Sequence, residues 1–252
     1  MRILGAGQIS QQKLIWAYSA GHCAFPGCPI RTLVMATSTD GAVVIGEVAH
    51  IHAYEDDGPR ANPKLSLLQR NSYPNLLLLC PNHHSLIDKQ PDTYPAEMLR
   101  EWKREIENRI TSAIRNIMPS IDFSELRQIT NSLLNHAGKQ DSDLSVIPPA
   151  EKIRKNNLSS TAHAYLAIAL AKADVVRSFI DAFTKLDDSF ASRLRAGFIS
   201  EYERLKAKGL NGDELFQEML VFAAAGNSDL KTQAAGLAIL GYFFEACEVF
   251  ER

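Results

Sequence analysis

Three cysteines and a histidine constrain the fold more than any other feature of this sequence. Cys23 and Cys28 enclose a four-residue knuckle that contains Pro and Gly, while Cys80 and His83 follow the apolar run Leu76–Leu79. Two pairs at these spacings supply the four thiolate and imidazole donors that a tetrahedral zinc ion takes. The sequence therefore predicts one structural zinc that joins two distant segments.

A second histidine stands directly after the predicted zinc ligand. Pro81-Asn82 is typical of a helix start, and neighbouring side chains on a helix point about 100° apart. His83 and His84 therefore cannot both face one small ion. One histidine closes the zinc site, and the other is free for a different role.

Two further polar residues stand at the ends of predicted strands. His50 ends the run "VVIGEVAH" before the turn-rich "AYEDDGPRAN", and Asn75 precedes the run "LLLLC". Both apolar runs have the length and composition of short strands. His84 then falls in the first turn of the following helix, so the order strand, loop, strand and helix can bring the three polar side chains together.

In "GEVAHIHAYEDDGPR" and "NLLLLCPNHHSLID" the sequence resembles the HNH endonuclease family, whose motif is carried by His50, Asn75 and His84. The resemblance covers residues 20–108. It implies a ββα-metal fold in which His50 is the general base, Asn75 fixes the loop joining the strands, and His84 binds a catalytic Mg²⁺ or Mn²⁺. Histidine can take a proton from water near neutral pH, and a divalent cation can stabilise charge on phosphate oxygens. The expected substrate is DNA, although the sequence does not discriminate DNA from RNA.

One position departs from the family pattern. Many HNH enzymes have an Asp or a second His as a metal ligand immediately before the general base, and this chain has Ala49 there. Asp88, one helical turn after the metal-binding histidine, or water is the favoured second ligand. His52 shares a face with the general base in an extended segment, whereas Glu47 would point oppositely. For both, a solvent-facing or capping role stays an equal alternative.

The second half of the chain is predicted to be α-helical. From "TYPAEMLREWKREIENRITSAIRNIM" onward, apolar residues recur every three or four positions. The stretch "AGKQDSDLSVIPPAEKIRKNN" interrupts this pattern, since it is polar and contains Pro148-Pro149. We therefore expect an α+β protein with an HNH nuclease domain and structural zinc at residues 1–118, a helix and a linker or docking arm at 119–157, and a helical interaction domain at 158–252.

The C-terminal half, residues 145–252, carries a second resemblance. "IPPAEKIRKNNLS" and the helices ending in "LAILGYFFEACEVFE" resemble the helical C-terminal domain of effectors in prokaryotic ABC-three-component conflict systems. The resemblance implies an ABC-type ATPase and a small middle component as partners, and defence against phages or other foreign DNA. A second copy of this chain is an alternative partner. The "EKIRKNN" arm is expected to order on binding. The aromatic cluster at the chain end either fills the core or partly meets a partner; it consists of Tyr242, Phe243, Phe244 and Phe250.

Net charge and composition limit the functions and the location that we expect for this protein. The net charge of −2 gives no global basic surface, so any phosphate-binding surface must be local. This near-neutral charge, together with Ala49, motivates the alternative to an enzyme, a zinc-stabilised module that binds nucleic acid or protein without turnover. The most apolar late stretch meets Glu245 too early to cross a bilayer, and the cysteines do not resemble a disulfide scaffold. We expect a cytoplasmic protein that does not contact a membrane, with Cys247 as a buried apolar residue.

Overall fold

The computed structural model describes residues 14–34, 38–41, 43–134, 149–227, 229–246 and 250. The chain divides into two units, Met1–Ile110 and Thr111–Arg252. The first combines short strands with helices, and the second is helical in its described part. None of the helices in the ranges above combines the length and the apolar character needed to cross a bilayer.

The first unit contains two small antiparallel sheets. Helix α1 covers residues 14–19. The later elements are strands β1 (Leu33–Val34), β2 (Val43–Val44), β3 (Glu47–His50) and β4 (Leu76–Leu79), and helices α2 (Leu67–Arg70), α3 (Pro81–Lys89) and α4 (Ala96–Ile117). A 3-10 turn, Tyr73–Asn75, leads into β4, and the last turns of α4 belong to the second unit.

Strands β3 and β4 pair with each other and lead into α3. His50 lies opposite Leu76, and Glu47 lies opposite Leu79. The four residues of β4 are all buried, and Cys80 then forms the N-cap of α3. Pro81 fits the first helical position because the N–H that it lacks would have no partner there. The predicted order of strand, loop, strand and helix is therefore observed.

The run "VVIGEVAH", which has the pattern of a single strand, is divided between two sheets. Strand β2 pairs with β1, and β3 pairs with β4. At the division, the N–H groups of Ile45 and Gly46 both donate to the Thr32 carbonyl, at 2.8 and 3.1 Å. A Cβ on Gly46 would lie 2.5 Å from the Thr32 Cβ and 2.6 Å from the Trp16 ring. Glycine therefore allows the backbone to pass close to Thr32 and leave the first sheet.

The second unit is built around its last helix. Its helices are α5 (Phe123–Leu133), α6 (Pro149–Lys155), α7 (Ser160–Leu170), α8 (Ala173–Thr184), α9 (Phe190–Ala207), α10 (Gly212–Ala223) and α11 (Leu230–Ala246). Helix α11 packs against α5, α7, α8 and α10. A Cβ on Gly236 would lie 2.6 Å from the Ala223 backbone, and one on Gly241 would overlap Ala169. These glycines therefore let neighbouring helices approach closely.

The aromatic cluster near the chain end belongs to the core of this unit. Phe243, Phe244 and Phe250 are buried, and Tyr242 is half-buried. The rings of Phe244 and Phe250 lie 5.2 Å apart, an edge-to-face contact. The three phenylalanines therefore fill the core, which is one of the two roles predicted for this cluster.

Part of the predicted linker is helical. Residues 149–155 form α6, and Lys152 is buried with its Nζ donating to the Phe244 carbonyl at 2.8 Å. Pro149 begins this helix with its fixed φ, and seven residues are too few to show a clear apolar period. The described part of the "EKIRKNN" arm is therefore packed within its unit. Pro148 and Cys247 lie outside the described residues.

Candidate active site and metal centre

The four predicted zinc ligands lie together. The donor atoms of Cys23, Cys28, Cys80 and His83 are all within 4.8 Å of one another. The Nδ1 of His83 is 3.5 Å from the Cys23 Sγ and 3.3 Å from the Cys80 Sγ. These separations match the edges of a tetrahedron drawn with zinc–ligand bonds of about 2.0–2.3 Å. The cluster can hold a metal ion, and its donor set fits a structural zinc.

Neighbouring groups orient these ligands. The backbone N–H of Cys80 donates to the Cys23 Sγ at 3.3 Å. The Phe25 ring stacks on His83, with centroids 3.8 Å apart, and Trp102 tilts against Phe25. Burial raises the pKa of the Cys23 thiol to about 12, and burial lowers the pKa of His83. Neutral imidazole is the form that coordinates metal, and a cation at the cluster would offset the effect of burial and favour the thiolate.

His84 contacts two carboxylates rather than the cysteines. Its Nδ1 is 2.7 Å from the Glu47 Oε2, and its Nε2 is 3.3 Å from the Asp88 Oδ2. The hydrogen bond with Asp88, followed by the one with Glu47, raises the pKa of His84. His84 is therefore not part of the Cys/His cluster that contains His83.

Glu47 contacts His84, although strand alternation predicts that its side chain lies on the face opposite His50. It is the first residue of β3 and lies opposite Leu79, the last residue of β4 before the turn into α3. This end of β3 is therefore next to the start of α3. The Glu47 side chain is long and half-exposed, so it can reach His84 from the strand end.

Asp88 lies one helical turn after His84, as predicted. The Arg60 Nη2 donates to its Oδ1 at 2.7 Å, so its Oδ2 is the oxygen that faces His84. Burial raises the pKa of Asp88, but the hydrogen bonds from His84 and Arg60 outweigh it and lower the pKa below the ordinary value. Asp88 is therefore an ionised carboxylate at neutral pH.

Arg60 was not singled out from the sequence, yet it connects the loop between β3 and β4 to α3. Its side chain is 5% exposed and donates to the carbonyls of Ile51 and Ile87 at 2.9 and 2.6 Å, as well as to Asp88. The only signal in the sequence is an arginine in the turn-rich "EDDGPRAN". That signal is weak, because arginine in such a turn is usually exposed.

Asn75 clamps the two ends of the same loop. Its Oδ1 accepts from the His52 N–H at 2.9 Å, and its Nδ2 donates to the carbonyls of His52 and Arg70, both at 2.8 Å. The residues that follow β3 are thereby bonded to those that precede β4. This arrangement is what a loop-fixing asparagine requires.

His52 is engaged at both ring nitrogens. Its Nδ1 is 2.7 Å from the Arg60 carbonyl oxygen and must donate to it, because a carbonyl only accepts. Its Nε2 is 2.7 Å from an Arg100 guanidinium nitrogen and must accept from it. Both ring nitrogens of His52 are thus engaged, and neither can bind a cation in this arrangement. A metal-ligand role for His52 does not fit the structure.

His50 ends β3 and contacts a different asparagine. Its Nε2 is 2.9 Å from the Oδ1 of Asn71, and the ring is partly buried. Ala49 beside it is fully buried and offers no ligand atom. In the described part of the chain, no hydrogen bond or ion pair joins His50 directly to His84.

The Cys/His cluster and the three polar positions fall in one sequence region with a known counterpart. Residues 23–90 match a protein-family model described as HNH endonuclease. The matched range contains every predicted metal ligand and all three HNH positions. It supports the HNH family and a nuclease-type function for this region, and it does not extend to residues 91–252. No curated protein matches the chain.

Proposed function

We propose that the chain is a metal-dependent HNH endonuclease that hydrolyses DNA phosphodiester bonds, with its chemistry on β3, β4 and α3 and a structural zinc nearby. The observation that carries the proposal is the pairing of His84 and Asp88. The His84 Nε2 and the Asp88 Oδ2 face each other at 3.3 Å, while their other atoms are engaged by Glu47 and Arg60. Imidazole nitrogen and carboxylate oxygen are donors that Mn²⁺ and Mg²⁺ can use, so these residues fit a divalent cation.

The neighbours of this pair prepare it to hold the cation. Glu47 accepts from the His84 Nδ1, which fixes the ring and leaves Nε2 as the coordinating nitrogen. Arg60 holds the Oδ1 of Asp88. When bound, the cation would stabilise the charge that develops on the phosphate and leaving oxygens.

His50 is the proposed general base, which takes the proton from the attacking water. Asn75 bonds the backbone of His52, two residues later, to the segment before β4. That clamp limits movement of the chain next to His50. A fixed position matters because proton transfer requires the base within hydrogen-bond reach of the water.

Plasmid cleavage by the zinc-loaded full chain in Mg²⁺ or Mn²⁺ tests this function. We expect His50→Ala to lower the cleavage rate by about 10²–10⁴-fold, the usual contribution of a general base. Zinc content and thermal midpoint should stay at wild-type values. His163→Ala, which removes an exposed histidine on α7, is the matched control and should cut normally. Wild-type cleavage by His50→Ala would show that the base lies elsewhere, and RNA offered under the same conditions would decide the substrate class.

A binding module without turnover is the second candidate. It is favoured by Ala49, which is fully buried where many HNH enzymes have a metal ligand. If it is correct, the wild-type chain will shift DNA in a gel but cut neither DNA nor RNA with any divalent cation.

We also propose that the helical unit docks a partner and controls the nuclease in defence against phages. The proposed partners are an ABC-type ATPase with its small middle component, or a second copy of the chain. The support is the resemblance of residues 145–252. Leu186, 83% exposed, and Arg154, also exposed, remain available for contact. A chain ending at residue 118 should lose co-purification with the neighbouring gene products and keep its zinc; unchanged association would contradict this role.

A further inference from the structure

Asn71 is held firmly at the end of α2. It is the C-cap of this helix, and its backbone N–H donates to the Leu67 carbonyl at 3.3 Å. The preceding residue, Arg70, is buried and donates to the carbonyls of Tyr54 and Leu65 at 2.8 and 3.0 Å. Asn75 in turn donates to the Arg70 carbonyl. Hydrogen bonds of Asn71 itself and of the preceding Arg70 therefore hold the backbone that carries the Asn71 side chain.

The side chain of Asn71 determines which nitrogen of His50 carries a proton. Its Oδ1 lies 2.9 Å from the His50 Nε2, and an amide carbonyl oxygen can only accept a hydrogen bond. The Nε2 must therefore be the protonated nitrogen. In neutral imidazole the other nitrogen, Nδ1, then carries the lone pair. Within the described ranges, Asn71 is the only hydrogen-bond partner of the His50 ring.

His52, two residues later, has the opposite arrangement. His52 donates through Nδ1 to the Arg60 carbonyl and accepts through Nε2 from Arg100, whereas His84 faces a carboxylate at each nitrogen, Glu47 at Nδ1 and Asp88 at Nε2. Of these three rings, only that of His50 has a hydrogen-bond partner at one nitrogen and none at the other within the described part of the chain. Asn71 thus selects for the proposed base the tautomer opposite to that of His52.

We infer that Asn71 is the positioning residue of His50: it accepts the Nε2 proton and thereby presents Nδ1 as the proton-accepting nitrogen. The inference rests on the proposed function of His50 as general base. Asn71 does not touch the reacting atoms. It acts by fixing the ring orientation and tautomer, the effect that a hydrogen-bonded partner has on a catalytic or metal-binding histidine.

Nitrogen NMR of the zinc-loaded full chain, labelled with ¹⁵N-histidine and free of added divalent cation, tests the inference. His50 signals are assigned by their loss in His50→Gln. At a pH where the ring is neutral, the wild-type Nε2 should show the shift of a protonated nitrogen and Nδ1 that of an unprotonated one. Asn71→Ala should move both shifts toward an exchanging mixture of tautomers. Asn71→Asp, which keeps an acceptor oxygen, should retain the wild-type pattern.

Cleavage kinetics with the same variants provide the second readout. Asn71→Ala should lower kcat by about 10–100-fold with KM unchanged, the loss typical of an orienting partner, and Asn71→Asp should recover most of it. Ser72→Ala is the matched control, since its hydroxyl donates to Gln69 at the same helix end and does not touch His50.

A proton on the His50 Nδ1 in the wild-type chain, or a spectrum unchanged by Asn71→Ala, would overturn the inference. The predicted nitrogen pattern in a wild-type chain that cuts no substrate would instead contradict the proposed function, while the positioning of His50 by Asn71 would be supported.

Discussion

The two units of this chain hold their backbones in place by different means. Before residue 111, strands are two to four residues long, buried arginines bond loop carbonyls, and a cysteine and histidine cluster can hold a metal ion. After it, long helices bury aromatic and aliphatic side chains on one another. In the first unit polar contacts hold the loops, and a metal ion at the Cys/His cluster would add to them. Such fixed loops also suit a site whose histidines need defined positions.

Removing the metal should have the largest effect. The apparent binding free energy of a structural zinc is about 10–16 kcal/mol, which exceeds the stability of many domains. We therefore expect chelation, or Cys23→Ala, to unfold the first unit while the helices after residue 110 keep their circular dichroism. Hydrogen exchange followed by mass spectrometry will locate the loss. Unchanged protection of β4 and α3 without metal would show that the cluster is not a structural requirement.

Truncating a core side chain of the second unit should destabilise that unit and leave the first unit folded. Phe244 is fully buried, so Phe244→Ala should lower the free energy of unfolding of the second unit by about 3–5 kcal/mol. Urea unfolding measures the change, and zinc content should stay at one ion per chain. Leu186→Ala, at an 83% exposed site, is the control and should change stability little. Loss of zinc in Phe244→Ala would mean that the two units do not fold independently.

Arg60 allows a smaller and more local test of the polar loop. Arg60→Ala leaves the carbonyls of Ile51 and Ile87 without a donor, which should cost about 2–3 kcal/mol. Protection from hydrogen exchange should fall in residues 51–75 and leave the helical unit unchanged. Lys64→Ala removes an exposed cation from the same loop and should have no such effect. Equal effects of the two variants would show that Arg60 does not hold this loop.

Features determined by local spacing were predictable from the sequence. The two ligand pairs lie on tight segments, so Cys80 and His83 could be assigned to one ion without knowing the fold. Helical periodicity likewise placed Asp88 on the face of His84 and predicted the long helices of the second half. Each of these inferences needs only neighbouring residues.

Features determined by the folded loop were not predictable. Asn71 reaches His50 across 21 positions, and Arg60 reaches Asp88 across 28. The loop between β3 and β4 has no period, so no pattern shows which of its polar side chains turn inward. Strand alternation set Glu47 opposite His50 and did not predict its contact with His84, because alternation describes regular strands and this side chain extends from a strand end.

The adjacent histidines provide the most direct test of the account, because it assigns them to different metals. His83→Ala and His84→Ala should be compared for zinc content, thermal midpoint and Mn²⁺-dependent plasmid cleavage. The account predicts that His83→Ala loses zinc and stability. It predicts that His84→Ala keeps both and loses cleavage. A His84→Ala chain that releases zinc, or one that cuts DNA at the wild-type rate, would contradict the division of roles between the two residues.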